Sequence, residues 1–230
     1  MARKAVARLT FDEGSDGPGV WSADGQTIYF RAVRAEGGTA IYAVPANGSG
    51  AETLVHVTQT HHLHASPDGK HLLFELQSTG AGGLAALNLQ DGKEALYLKQ
   101  GFHPQFSPDS RMVAYESAET GRAEVYVQTF PAGGGKWQIS TEGGIEPRWR
   151  ADGKELFYDQ GDGTVMAAAL EMRGASLEVT STTELFRFSR GRRMGTALAV
   201  SPDGKLVAIR ETPAGTAASI TVKLDWKLPR

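Results

Sequence analysis

The chain has 230 residues, a formal net charge of −2 and no cysteine. A nearly neutral balance gives no overall attraction to nucleic acid or to anionic membranes. The lack of thiols excludes disulfides and thiolate metal sites. No apolar run approaches the length of a membrane-spanning helix, so no membrane insertion is predicted.

A five-residue motif of the Ser-Pro-Asp-Gly type recurs through the chain. Its copies are Trp21–Gly25, Ala65–Gly69, Phe106–Ser110, Trp149–Gly153 and Val200–Gly204. The motif aspartates at 24, 68, 109, 152 and 203 are separated by 44, 41, 43 and 51 residues. A period of roughly 43 residues with strand-type sequence around it is typical of β-propeller blades.

The motif predicts a tight hairpin turn. A serine hydroxyl bonds nearby backbone, proline presets φ, aspartate suits the third position and glycine takes a left-handed conformation. Two departures weaken individual turns without changing the fold: Ser110 replaces glycine, and Ala23 and Ala151 replace proline.

Each repeat offers four strands, named a to d, with strand a before the motif and strand b directly after it. The predicted b strands are Thr27–Phe30, His71–Phe74, Met112–Tyr115, Glu155–Tyr158 and Leu206–Ile209. The c strands are Ala40–Val44, Leu84–Leu89, Glu124–Thr129, Thr164–Leu170 and Ser219–Leu224. The d strands are Thr53–Thr58, Glu94–Lys99, Lys136–Ser140 and Thr183–Phe188.

The fifth repeat has no d strand after its c strand, and the segment Lys4–Phe11 resembles the missing one. The sequence therefore predicts an all-β fold: a five-bladed β-propeller of four-stranded antiparallel blades. The N-terminal strand would complete the last blade, which removes unpaired strand edges. Residues 1–230 would form one domain and a monomer.

Aromatic residues occupy the first position of the motif in three repeats, at Trp21, Phe106 and Trp149. We expect them to pack between blades rather than to stack on sugars. Trp137 is predicted to pack from a d strand.

The five motif copies resemble the WD-like propeller repeats of the TolB translocation protein. The stretches Lys136–Ser140 and Pro147–Tyr158, with the ending Ile220–Trp226, are similar to the propeller C-terminal to bacterial transmembrane serine/threonine kinases. That resemblance implies a sensing or interaction module outside the cytoplasm. The chain has no glycine-rich phosphate loop and no His-Arg-Asp catalytic loop, so no kinase part is present in it.

The a strands carry the candidate site, since a strands surround the channel of a propeller and ligands bind at its mouth. Strand residues two apart share a face. Six residues before the motif aspartates lie Pro18, His62, His103, Glu146 and Ala197; four before them lie Val20, His64, Gln105, Arg148 and Ala199. The polar members predict a ligand site formed by His62, His64, His103, Gln105, Glu146 and Arg148.

Two imidazoles and a carboxylate, from His62, His103 and Glu146, match the facial ligand set of a divalent transition metal. A hydrated channel lining is the alternative, and so is an anionic ligand held by Arg148 and protonated histidine. The sequence favours a non-catalytic binding, scaffold or sensor module with a small-molecule or protein partner at the channel mouth. A metal- or carboxylate-dependent hydrolase or lyase stays open.

Overall fold

The computed structural model describes residues 8–34, 38–77, 82–187, 198–201 and 206–208. These residues contain strands and turns but no helix, and thus none that could cross a membrane. The chain divides into two compact units, Met1–Gln100 and Gly101–Arg230.

The first unit contains two four-stranded antiparallel blades, each with its strands in sequence order. The first blade consists of β1 (Ser15–Trp21), β2 (Thr27–Arg34), β3 (Gly38–Pro45) and β4 (Thr53–Val57), and the second of β5 (Thr60–Ala65), β6 (His71–Leu76), β7 (Leu84–Asn88) and β8 (Glu94–Leu98).

The second unit contains two further four-stranded blades and a two-stranded sheet. The third blade consists of β9 (Phe102–Phe106), β10 (Met112–Ser117), β11 (Glu124–Thr129) and β12 (Lys136–Gln138). The fourth consists of β13 (Ile145–Trp149), β14 (Glu155–Asp159), β15 (Thr164–Arg173) and β16 (Ser176–Arg187), and the pair is β17 (Leu198–Val200) with β18 (Leu206–Ala208).

The predicted strands are confirmed in all four complete blades, and most bounds agree within a few residues. The d strand predicted at 183–188 is the exception, because β16 begins at Ser176 and pairs along the whole of β15. The predicted strand at 219–224 lies outside the described residues, as do residues 1–7 at the N-terminus. Residues 8–11 are not in a strand, but Leu9 packs against the cluster that includes Phe30. Ring closure, the count of five blades and a single domain stay predictions.

The core of each unit lies where neighbouring blades face each other. In the first unit, Ile41 of β3 packs with Leu63, Leu72 and Phe74 of the second blade. In the second unit, Val125 and Val127 of the third blade pack with residues of the fourth that include Trp149. The middle strands are therefore almost wholly apolar and buried, whereas d strands such as β8 expose most of their side chains.

The motif forms the predicted turn. In the second blade Ser66 Oγ donates to Asp68 Oδ1 at 2.6 Å and accepts from the backbone N of His71 at 2.9 Å. The first and third blades repeat both bonds with Ser22 and Ser107. Gly25, Gly69 and Gly153 all have φ near +70°. The serine thus connects the turn to the first residue of the following strand, which makes the motif structural.

The fourth turn uses a different side chain, because Arg150 stands in the serine position. Its guanidinium donates from Nε and Nη2 to both oxygens of Asp152, at 2.8 and 2.6 Å. This bidentate pair lowers the pKa of Asp152 to about 2.

Two of the three motif aromatics pack as expected. Phe106 and Trp149 are 2% and 4% exposed. The expectation was wrong for Trp21, which is 60% exposed. Trp137 of β12 packs against the core, as predicted.

We expect Ser110→Gly to stabilise the protein. Ser110 has φ +62°, a conformation in which a side chain costs about 1–2 kcal/mol, more than the extra unfolded-state entropy of glycine. Urea unfolding should show a gain of about 0.5 kcal/mol. Gly69→Ser is the matched reverse change at φ +73° and should lose stability; equal midpoints for both variants would contradict the turn assignment.

Asp152→Asn should reduce the loss of folding stability that occurs as the pH falls from about 4 toward 2. The folded pKa of about 2 lies below the unfolded value, so the charged form stabilises the fold above roughly pH 4, and this stabilisation is lost as pH falls toward 2. Melting temperatures measured from pH 7 to pH 2 should therefore fall less steeply in the variant below roughly pH 4. Arg150→Gln removes the partner and should flatten the same window; an unchanged slope in both would refute the assignment.

Candidate functional site

Strand a of each of the four complete blades has a β-bulge at the same place. Pairing with the b strand shifts between Asp16 and Gly19 in β1, between Thr60 and Leu63 in β5, and between Ile145 and Arg148 in β13. In β9 the shift lies between Phe102 and Gln105. The position six residues before the motif aspartate falls inside each bulge, so the candidate residues occupy the irregular part of the strand.

The bulge contradicts the regular alternation expected for the a strands. Residues six and four before the aspartate were expected to share a face, but an inserted residue interrupts the alternation. His103 and Glu146 adopt φ values of +49° and +51°, which non-glycine residues rarely do. Each such residue costs about 1–3 kcal/mol, so the surrounding structure must hold it in place.

His103 and Glu146 meet at the carboxylate of Glu116. The Nδ1 atom of His103 lies 2.9 Å from Glu116 Oε2, and the backbone N of Glu146 donates to the same oxygen at 3.0 Å. Glu146 itself is 4% exposed. Glu116 thus lies between the imidazole of His103 and the backbone of Glu146, and joins the bulges of β9 and β13. We call His103, Glu116, Glu146 and Arg148 the bulge cluster.

Arg148 is the cationic member of the bulge cluster. Its Nε donates to the backbone O of Leu198 at 3.0 Å and its Nη1 to the backbone O of Pro147 at 2.7 Å. Burial lowers the pKa of Arg148, while the carboxylates of Glu146 and Glu116 oppose that shift. The guanidinium therefore balances part of the carboxylate charge and joins β13 to β17.

Gln105 has a structural contact. Its Oε1 accepts from the backbone N of Trp149 at 2.8 Å, and its backbone O accepts from Trp149 Nε1 at 3.3 Å. These bonds join the a strands of the third and fourth blades. Ligand binding by Gln105 stays a prediction.

The first unit contains a second imidazole–carboxylate pair. His62 of β5 is exposed, Glu75 of β6 is 5% exposed, and their ligand atoms lie within 4.8 Å of each other. His64 is half-buried in the regular part of β5, where it pairs with Leu73. His62 belongs to the first unit and His103 and Glu146 to the second, so a shared metal site stays a prediction. Ala197 lies outside the described residues.

Sequence reasoning missed Glu75 and Glu116. Both stand seven residues after a motif aspartate, inside the otherwise mainly apolar strands β6 and β10. Asp159 takes the same position in β14, where it accepts from the backbone N of Gly161 and Gly163 at 2.6 and 3.0 Å. A recurrent acid in a buried strand was the available signal.

No family model and no curated protein matches the chain. Solved structures do match it. TolB from Acinetobacter baumannii aligns with TM-score 0.63 and 17% identity over 87% of this chain and 50% of its own. The Cps50 (Swd1) β-propeller domain of Myceliophteria thermophila aligns with TM-score 0.62 and 16% identity over 92% and 70%.

A third match is an oligogalacturonate lyase solved in complex with manganese. It aligns with TM-score 0.60 and 16% identity over 90% of this chain and 62% of its own. The chain thus spans half the length of the TolB structure and less than two thirds of the lyase.

These matches and the repeated antiparallel sheets define the class of protein: the chain is a β-propeller. More particularly, it has the fold of the TolB-like and WD40-type propellers. A fold of this kind does not itself specify a ligand or an activity.

Gln105→Ala should destabilise the protein, because it leaves the buried backbone N of Trp149 without its acceptor. We expect a loss of about 1–3 kcal/mol in urea unfolding. Gln90→Ala, at an exposed turn, is the control and should stay within about 0.5 kcal/mol of the parent. Equal stabilities of the two variants would show that Gln105 has no joining role.

Proposed function

We propose that this chain is a non-catalytic β-propeller module that binds a ligand or protein partner at the channel mouth, through the bulge cluster. The burial of Glu146, whose backbone N donates to the carboxylate that His103 contacts, is the observation that supports this most. Burying a carboxylate and holding two residues at positive φ both oppose folding. A binding role explains why the chain retains them, since strained backbone concentrates at ligand sites.

The charges of the bulge cluster favour a cation. Glu116 and Glu146 contribute two carboxylates, whereas Arg148 already donates to two backbone carbonyl oxygens. In its most specific form, the proposal is that the ligand is a divalent transition metal bound by His103 and Glu146. Glu116 would then orient the ring, as carboxylates orient metal-binding histidines elsewhere. His62 is the third ligand of the predicted set.

An anionic small molecule is the alternative ligand in this proposal. Arg148 and protonated histidine would hold it, but the arginine has fewer donors to offer than the sequence suggested. The resemblance to kinase-linked propellers adds a sensor role outside the cytoplasm to the proposal.

An enzyme with a metal site is the second candidate. The match to a lyase solved with manganese favours it, together with the imidazole and carboxylates of the cluster. A shared fold does not transfer an activity, so this candidate depends on detection of a metal and of turnover.

Calorimetric titration with Zn²⁺ and Mn²⁺, with mass-spectrometric metal analysis, tests the proposal. His103→Gln and Glu146→Gln should each weaken binding about tenfold or more. Binding should also weaken as pH falls below about 6.5, because protonated imidazole cannot bind a metal. His56→Gln is the matched control, since His56 lies 2.8 Å from Glu94 much as His103 lies 2.9 Å from Glu116.

Three outcomes separate the candidates. Equal loss in His103→Gln and His56→Gln, or no metal bound, overturns the metal form. Binding of acetate or inorganic phosphate that strengthens at low pH supports the anionic form instead. Metal-dependent cleavage of oligogalacturonate that is lost in Glu146→Gln would replace the binding module with an enzyme.

A further inference from the structure

A polar cavity lies in the third blade, apart from the bulge cluster. It has a volume of about 450 Å³, within the usual range for small-molecule sites. The loop between β10 and β11 forms one side, and the end of β12 with the following loop forms the other. We call it the Arg122 pocket, and its lining consists of Thr120, Gly121, Arg122, Glu124, Gln138 and Thr141.

A buried carboxylate anchors the pocket. Glu124 is 2% exposed, and its oxygens accept from the backbone N of Gly143 at 3.1 Å and from Ser140 Oγ. Arg122 donates from Nε to Glu124 Oε1 at 2.9 Å, and its Nη2 lies 2.8 Å from the same oxygen in an ion pair while donating to the backbone O of Thr141. The acceptors of Glu124 are therefore occupied from within the protein.

The same bonds fix the guanidinium of Arg122 while its side chain stays 57% exposed. Within the described part of the chain, its Nη1 group makes no hydrogen bond. Two donors are therefore held in a fixed orientation at the pocket, and an arginine held this way loses little entropy when it binds.

The other polar groups of the pocket include both donors and acceptors. Gln138 donates from Nε2 to the backbone O of Ser140 at 2.8 Å, which leaves its Oε1 as an acceptor. The hydroxyls of Thr120 and Thr141 donate or accept. A ligand matching this set must carry several groups that both donate and accept.

The net charge of the pocket favours neither a cation nor an anion as the ligand. The charges of Arg122 and Glu124 offset each other across 2.8 Å, and nearby Lys136 is paired with Glu119. Exposed Glu142 adds a negative charge next to Thr141, which disfavours an anion. We propose that the Arg122 pocket binds an uncharged saccharide, whose hydroxyls accept from Arg122 Nη1 and donate to Gln138 Oε1. This site is independent of the proposed function.

Saturation-transfer NMR and calorimetry on the full chain test the proposal, with glucose, galactose, N-acetylglucosamine and maltose as probes at millimolar concentration. Arg122→Lys keeps a cation beside Glu124 but removes the Nη1 donors, and should weaken binding about tenfold or more. Thr141→Val, at an exposed position, should also weaken it. Arg173→Lys is the control, because Arg173 is an exposed arginine that also pairs with glutamates, outside the pocket.

Several results would overturn the saccharide site. These are no binding of any probe sugar, equal binding by Arg122→Lys and Arg173→Lys, or tighter binding of acetate or inorganic phosphate than of every sugar. If Arg122→Lys does not fold, as judged by its thermal transition, Thr141→Val decides the outcome. Glu146→Gln should leave sugar binding unchanged, so failure of the bulge cluster and failure of this pocket are distinguishable.

Discussion

The hydrogen bond that the first amide of strand b donates to the motif serine is the interaction on which the first three blades depend. It sets the register of strands a and b at their common turn, at Ser22, Ser66 and Ser107. Once that register is set, positions at fixed distances from the motif aspartate recur at equivalent places in each blade. The bulge and the acidic positions of the site both follow from this register.

Within each a strand, the bulge separates the candidate site residue from the residue that packs in the core. Aromatic residues in the first position of the motif, such as Phe106 and Trp149, are buried. A few residues earlier, the bulge removes the constraint of regular pairing and re-aims the side chain. His103 and Glu146 therefore lie outside the regular pairing, whereas Phe106 and Trp149 pack within it.

The sequence was sufficient to predict the strands and the turns, because the repeat places glycine, serine and aspartate where each turn needs them. It was also sufficient to single out His103, Glu146 and Arg148, which the structure brings together. It did not predict how they meet, since strict alternation was assumed through the a strand. Pro18, Pro104 and Pro147 lie at the bulges and were a signal against regular pairing there.

Glu116 shows why the remaining part of the site is hard to infer from sequence. It lies in a strand that packing explains almost completely, so its charge looks like an exception rather than a feature. Only the register places it opposite the first strand, within reach of His103 and of the backbone of Glu146. The same register brings Glu75 near His62 in the second blade. The imidazole–carboxylate pairing therefore recurs in consecutive repeats because the register makes these positions equivalent.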